Sequence, residues 1–479
     1  MTLHLHRLEL GNDEIFVTPI GADGKDKLIL KEWDSLFNQN LKDINDVLLD
    51  MEIDNRSKFG PRSIALPYSQ RKKNILRSFE REQITGSTDY KLPSSVINLR
   101  PLDNSTALKL LKNNTNSGLP FYTRKGKVKE RMLKHFDELL KRKDPAILFT
   151  RTQEGNKTRN VWGYPIADTL NEMKYYKPIL EHQKHQNYRA ALIGPEKVSR
   201  CLIELVLKAQ NGIRTILSID FAHYDDSTKT TLQSLSFNYF KSLFQKKYWE
   251  GLDYIALRFR TIGLLTPDGV INGDHGTPSG SGFTNEVGSV SQIITGLSEP
   301  YVNINDIQVQ GDDGVYLVPK GKEDQLIRKF ESFGLVVNKD KIHVSDKYAI
   351  YLQNLYHIDY INKGITGGIY STYRALNRIV YQERWSDFED YDIIGKDYYS
   401  IRTLCILENC RYHPLFRNLV EFVLLKDKYS LDFSSQGLSN YVHMLGKVEG
   451  AEGILNNQLG DNVKGLKSFA SYKLIKELS

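Results

Sequence analysis

The sequence predicts an α+β fold built on an antiparallel sheet flanked by helices, and three features predict it. Arg214-Thr-Ile-Leu-Ser-Ile-Asp220 is a β-branched, apolar run ending in an aspartate, the pattern of a buried strand. Ile307-Gln-Val-Gln-Gly-Asp-Asp-Gly-Val-Tyr-Leu-Val318 alternates on both sides of a Gly-Asp-Asp-Gly turn, as a tight antiparallel hairpin does. Helical patterns run from Thr284 towards Leu297 and over Gln325–Phe333, and Leu335-Val-Val-Asn338 then returns as a strand. The order strand, helix, hairpin, helix, strand gives an α+β core.

The rest of the chain fits around that core. Residues 1–95 mix short strand-like and helix-like runs without a motif, and residues 100–200 are basic and loop-rich. Leu264-Leu-Thr-Pro-Asp-Gly-Val-Ile271 places a Pro-Asp-Gly turn between two apolar pairs and reads as a second hairpin. Gly276, Gly280 and Gly282 cluster just before the helix at Thr284, and after Tyr360 the chain is mostly helical and aromatic. There is no internal repeat, and the longest polar stretch, Ser434–Asn440, reads as a loop.

At 479 residues the chain exceeds the size at which one core keeps growing, so two or three subdomains are expected. No apolar run approaches the roughly 20 residues that span a bilayer, and the first residues lack the order of a signal peptide. Cys201, Cys405 and Cys410 are too few and too scattered for a disulfide framework or a zinc site. The expectation is a soluble, reduced, intracellular protein with no membrane partner. The formal charge of +7 is modest, but its distribution is not. Arg124, Lys125, Lys127, Lys129, Arg131, Lys134, Lys141, Arg142, Lys143, Arg151, Lys157 and Arg159 crowd one stretch against five acidic residues. Such a patch suits a phosphate backbone or a triphosphate; for Lys125–Lys143 a solvated helix face is an equal reading.

Phosphoryl chemistry with paired divalent cations needs carboxylates, because hard cations prefer oxygen ligands. Asp220, at the end of a strand, and Asp312-Asp313, at a hairpin tip, would converge if strand and hairpin pair side by side. A Gly-Asp-Asp tripeptide alone is weak, arising by chance roughly once in ten chains of this length. The order of the pieces is specific: Asp220-Phe-Ala-His-Tyr-Asp225, then Gly276-Thr-Pro-Ser-Gly-Ser-Gly-Phe-Thr-Asn285, then Gly311-Asp-Asp-Gly314.

In these three motifs the sequence resembles viral RNA-dependent RNA polymerases, closest to those of small double-stranded RNA viruses of the partitivirus and picobirnavirus kind. Asn114-Thr-Asn-Ser-Gly-Leu-Pro120 resembles the template-entrance motif, Arg151-Thr-Gln-Glu-Gly-Asn-Lys-Thr-Arg159 the basic fingers motif, Gly334-Leu-Val-Val-Asn-Lys-Asp-Lys341 the fourth palm motif, and Tyr351-Leu-Gln-Asn354 the palm–thumb turn. The resemblance covers about residues 114–355. It implies a right hand with fingers at 96–208 and 240–272, palm at 209–239 and 273–357, thumb at 358–479, and an extension over 1–95 bridging fingers to thumb.

The resemblance also assigns roles. Asp220 and Asp312, with Asp313 beside them, would hold two Mg²⁺ ions, Mn²⁺ being a possible replacement. Lys157 and Arg159 would clamp the triphosphate of an incoming ribonucleotide. Asp225 would accept the ribose 2′-hydroxyl; its alternative is a helix N-cap. Ser279 and Gly280 resemble the mobile template loop, and Thr284 would hold Asp225 and the ribose. Many relatives carry Asn nine residues after the serine; here it is Gly288, so Asn285 or Ser289 would substitute. Lys341 resembles the acid that protonates pyrophosphate, with Lys339 as its rival. Thr115, Ser117, Gly118 and Arg151 would meet RNA. The implied partners are template and product RNA, ribonucleoside triphosphates and a separate viral capsid protein, and the implied location is the virion interior or host cytoplasm. A reverse transcriptase-like enzyme and an inactive RNA-binding scaffold are the alternatives; the acidic Asp225 and the intact aspartates oppose them.

Overall fold

The computed structural model describes residues 1–85, 97–445 and 465–478. The expected boundary at 95/96, and residues 446–464 and 479 of the last expected unit, lie outside the described residues. Among the described residues there are eleven strands: β1 (Ala146–Thr152), β2 (Thr158–Gly163), β3 (Arg214–Ile219), β4 (Leu264–Thr266), β5 (Gly269–Ile271), β6 (Ile307–Gln310), β7 (Asp313–Pro319), β8 (His343–Ser345), β9 (Tyr348–Tyr351), β10 (Asn354–His357) and β11 (Ile369–Tyr370).

The central sheet has the order β6-β7-β3-β8, antiparallel throughout. Alternate residues of β3 and β7 point to opposite sides. Leu217, Ile219, Tyr316 and Val318 pack against the helices Thr230–Leu243 and Thr284–Leu297, whereas Ile216, Val315 and Leu317 pack against the helix Pro195–Ala209. Both faces are covered, which is why β3 reads as an unbroken apolar run rather than an alternation. The α+β fold with an antiparallel sheet flanked by helices is the one found.

The hairpin β4–β5 forms as its turn requires, but in a second sheet, β2-β1-β4-β5, where β4 runs parallel to β1. The predicted strand over Leu335–Asn338 is only a bridge, Phe221 opposite Val337, and the regular strand of that region is β8. Residues 1–85 are mainly helical, with Asp26–Gln39, Asp46–Ser57 and Tyr68–Arg77 the longest helices. Ile29, Trp33 and Phe37 share one core with Tyr373, Leu376 and Leu404, while Tyr68 and Ile75 share another with Leu148, Trp162 and Leu264. No helix among the described residues is long and apolar enough to cross a membrane.

Candidate active site

Sheet register brings the acidic residues together. Ile219 pairs with Gly314, so one further antiparallel step sets Asp220 beside Asp313, at the roughly 5 Å spacing of cross-strand neighbours. The turn before Asp313 is fixed from behind. Gly311 has φ +64°, a conformation that side chains other than glycine's rarely adopt. Its N–H donates to Ser289 Oγ at 2.8 Å, and its carbonyl accepts from Gln292 Nε2 at 2.9 Å. Gln292 Oε1 in turn accepts from the Tyr316 hydroxyl at 2.9 Å. One face of the helix Thr284–Leu297 therefore aims the Asp-Asp tip. Deeper still, Arg189 and Glu286 form a fully buried bidentate pair, and Arg189 also donates to Gln310 at the end of β6.

The Asp220 carboxylate accepts from Asn338 Nδ2 at 3.0 Å, and the Asn338 N–H donates to the Asp220 carbonyl at 2.9 Å. Lys341 Nζ stands 4.0 Å from the same carboxylate. Of the two rival lysines, Lys341 is the one placed at the aspartates. Burial first, and then Asp312 and Asp220, push the Asp313 carboxyl up to about 7. These carboxylates destabilise one another's charge, which is the condition that a divalent cation relieves. No three Asp, Glu, His or Cys side chains among the described residues already form a ligand set. Asp220, Asp312 and Asp313 nonetheless supply hard oxygen donors of the kind a divalent cation such as Mg²⁺ takes, needing only one or two protein carboxylates when waters and substrate phosphates complete the shell.

The basic hairpin faces the acidic cluster. In β2, Asn160 accepts from Arg71 at 2.9 Å, and Thr158 accepts the Leu66 N–H at 3.0 Å. Those even-numbered positions are held by the N-terminal region, which leaves Lys157 and Arg159 to the other side. The Lys157 ammonium is depressed by burial first, then by Arg159 and Lys341, while Asp220 and Asp312 oppose the shift. The hairpin cation and the sheet-edge carboxylates are thus within electrostatic reach.

Asp225 lies inside the short helix Tyr224–Ser227 rather than at its N-cap, which is His223. Asp225 is solvent-exposed although protein atoms crowd its carboxyl, which makes no hydrogen bond among the described residues. Burial, then Asp312 and Asp226, raise it to about 7. The Thr277 N–H donates to its backbone carbonyl at 2.7 Å. Thr284 does not reach it: the Thr284 hydroxyl donates to the Pro278 and Ser281 carbonyls, 2.7 and 2.9 Å away, and closes the glycine-rich loop instead. The absence of Asn at Gly288 has a steric cause. A Cβ there would stand 3.2 Å from the Tyr224 ring, whose hydroxyl donates to the Gly288 carbonyl at 2.7 Å. Asn285 lies against Gly311, and Ser289 is committed to it.

The loop itself rests on β2. Ser279 Oγ donates to the Asn160 carbonyl at 3.1 Å, and a Cβ at Gly280 would collide with the Trp162 carbonyl oxygen. Its other end is held by Glu172, a buried residue that no sequence pattern singled out: Oε1 accepts from Ser281 Oγ at 2.6 Å and Oε2 from the Gly282 N–H at 2.7 Å.

Three residues expected to meet RNA have protein surroundings of their own. Ser117 is fully buried and Gly118 is buried; the Ser117 hydroxyl accepts the Thr123 N–H at 3.2 Å, so both shape the loop instead of facing a ligand. Arg151 is exposed but pairs with Glu383 at 3.0 Å, tying β1 to the C-terminal helical region. Thr115 is partly buried, and its hydroxyl oxygen has no hydrogen-bond partner among the described residues.

Comparison with known proteins agrees. The sequence family described as viral RNA-dependent RNA polymerase matches residues 38–405. The potential RNA-dependent RNA polymerase of Human picobirnavirus (strain Human/Thailand/Hy005102/-) is 28% identical over 463 residues, covering 89% of this chain and 85% of that one. The RNA-directed RNA polymerase of Cryptosporidium parvum virus 1 (strain KSU-1) is 24% identical over 272 residues, 51% of this chain and 52% of that one. The crystal structure of the RNA-dependent RNA polymerase of a human picobirnavirus superposes with a TM-score of 0.82 at 24% identity, covering 100% of this chain and 96% of that one; its insertion-loop deletion mutant gives 0.81. Fold and sequence together define a nucleotidyltransferase of the polymerase class. The chain belongs to the viral RNA-dependent RNA polymerase family, and it is an RNA-directed RNA polymerase acting on RNA and ribonucleotides.

Proposed function

We propose that this polymerase copies RNA by two-metal nucleotidyl transfer, and that it replicates and transcribes a viral double-stranded RNA genome. The observation that carries the mechanism is the apposition of Asp220 with the Asp312-Asp313 tip, with Lys341 4.0 Å from the Asp220 carboxylate and Lys157 within electrostatic reach of Asp220 and Asp312. Asp220, Asp312 and Asp313 would hold two Mg²⁺ ions, or Mn²⁺ in their place, which when bound would lower the pKa of the 3′-hydroxyl and neutralise charge on the leaving pyrophosphate. The 3′-oxygen attacks the α-phosphorus as the bond to the β-phosphate oxygen breaks. Arg159, with a planar fork suited to phosphate oxygens, and Lys157 steady the triphosphate. Lys341 supplies a proton to the departing pyrophosphate. Asp225 accepts the ribose 2′-hydroxyl, with Asn285 nearby at the turn. Ser279 and Gly280 form the template loop, and Thr284 locks it. Thr115 faces the template, as does the basic surface at Arg124 and Lys127.

The N-terminal region packs into both the fingers-side and the C-terminal cores, which supports its reading as a bridge from fingers to thumb. The picobirnavirus likeness supports a capsid protein as partner and the virion interior or host cytoplasm as the place of action. The decisive assay uses purified protein, Mg²⁺, a single-stranded RNA template and labelled ribonucleotides. Asp220→Ala and Asp312→Ala should each abolish synthesis while leaving RNA binding and melting temperature near normal; full activity in either would overturn the metal assignment. Adding capsid protein and double-stranded template tests the genomic part.

A further inference from the structure

We propose that Glu172 is a positioning residue that sets the resting state of the loop Gly276–Phe283 and must release it whenever the template advances. The proposal rests on reading Ser279 and Gly280 as the template loop. Beyond the bonds that the Gly276 and Thr277 N–H groups donate to the Ser78 and Asp225 carbonyls at its start, the loop has two attachments of different kinds. At Ser279 and Gly280 it leans on backbone carbonyls of β2, the strand that carries Arg159. At Ser281 and Gly282 it is held by one side chain, the fully buried carboxyl of Glu172, through bonds of 2.6 and 2.7 Å. At Gly280 the two backbones themselves are in close contact, so that point cannot shift without moving loop or strand as a whole. A side-chain clasp can open alone.

The surroundings of Glu172 favour opening. One turn earlier on the same helix (Ile166–Gln183), Asp168 takes both arms of Arg258, at 2.8 and 2.9 Å. Glu172 is left with no cation of its own. Burial is the main cause that pushes its carboxyl up to about 8, and Asp168 adds to it against the pull of Ser281, Gly282 and Arg258. Near neutral pH the group is therefore mostly uncharged, and letting go of Ser281 strands no ion in the interior. The buried Tyr164 hydroxyl lies beside the same pair, within reach of Ser281 and of the charge on Glu172.

The test compares single with consecutive nucleotide additions by rapid quench, using the full chain, Mg²⁺ and an RNA template with a paired 3′ end. Glu172→Ala removes both bonds to the loop, and Ser281→Ala removes one of them. Each should change the rate of consecutive additions at saturating nucleotide by roughly threefold to tenfold, the worth of one hydrogen bond. Apparent nucleotide affinity and the rate of the first addition should stay within about twofold. Ser281→Thr should restore the normal rate, as should Glu172→Gln, whose amide can accept from Gly282 and donate to Ser281 as the uncharged acid does. Unchanged stepping in Glu172→Ala and Ser281→Ala, while Gly280→Ala impairs it, would overturn the clasp and leave the loop reading intact. Unchanged stepping in Gly280→Ala as well would instead sink the loop reading. Parallel losses in first addition, affinity and melting temperature would reduce Glu172 to a structural residue and overturn the proposal.

Discussion

Asp225 and Gly288 show how single residues in this site take their roles from what surrounds them. The Asp225 carboxyl has no hydrogen-bond partner among the described residues, and it is not an N-cap. A carboxyl held so, within electrostatic reach of Asp312, is open to a ligand hydroxyl. Asp225→Ala should reduce the preference for ribonucleotides over deoxyribonucleotides about tenfold to a hundredfold, the value of a discriminating hydrogen bond of roughly 1–3 kcal/mol. Competition assays with paired nucleotides measure it, and an unchanged sugar preference would remove Asp225 from the ribose contact. Gly288 makes the opposite point, since here the missing side chain matters. Gly288→Asn, which writes in the residue common among relatives, should displace Tyr224 and destabilise the protein by about 1–3 kcal/mol, as overpacking does. It should therefore lower rather than improve synthesis, and a melting curve with a parallel activity assay decides this.

At the scale of elements, the helix Thr284–Leu297 and the helix Ile166–Gln183 do most to shape the site. The first carries Ser289 and Gln292 to the back of the Gly311 turn; the second carries Glu172 to the glycine-rich loop. The second has a measurable signature in pH. The folded-state pKa of Glu172 is raised from 4.5 to about 8, with Asp168, Arg258 and Tyr164 as the ionisable groups facing it. Between those values the folded state keeps a proton that the unfolded chain has lost, so stability falls as pH rises through that window and levels off above it. The slope is on the order of 1 kcal/mol per pH unit. In Glu172→Gln that component should vanish, and denaturation at several pH values from 6 to 8.5 would show the difference in slope. Parallel slopes for the two proteins would mean that Glu172 titrates normally.

Across the whole molecule, charge joins what the cores keep apart. Glu154, at the turn between β1 and β2, binds Arg62 of the N-terminal region and Arg374 of the C-terminal region, each at 3.2 Å. Arg62 and Arg151 both reach Glu383. The hairpin that presents Lys157 and Arg159 is thus braced from two sides. Glu154→Ala would leave the largely buried Arg62 short of a partner and should cost about 3 kcal/mol, read as a drop in melting temperature with loss of nucleotide affinity. The outer basic surface behaves differently. Lys129 donates to the Leu111 carbonyl and Arg131 lies over the Phe121 ring, whereas Arg124 and Lys127 are exposed and are the two proposed to meet RNA. Neutralising both should flatten the salt dependence of RNA binding by roughly one unit of slope per lost phosphate contact, with nucleotide affinity unchanged. A slope that stays the same would make the patch ordinary solvated surface.

Motif order and local pattern were enough to place the acidic strand end, the Asp-Asp hairpin tip, the helix after the glycine-rich loop and the family, because each rests on short-range periodicity or turn chemistry. The alternation around Gly311 declares a hairpin whatever the rest of the chain does, and the apolar run before Asp220 declares a buried strand. Contacts between distant segments left no such trace. Nothing local distinguishes Glu172 from any helical glutamate, or Asn338 from any loop asparagine, until folding sets one against Ser281 and the other against Asp220. Ser117 looked like a ligand-facing serine because its burial depends on Tyr164 and Ile166 closing over it. Thr284 and Arg151 likewise found nearer partners than the ones their motifs suggested. The sequence by itself determined which chemistry the chain could perform, since that follows from residue types in order; tertiary structure alone decided which side chains are free to perform it, because burial and hydrogen-bond partners come from segments more than a hundred residues apart.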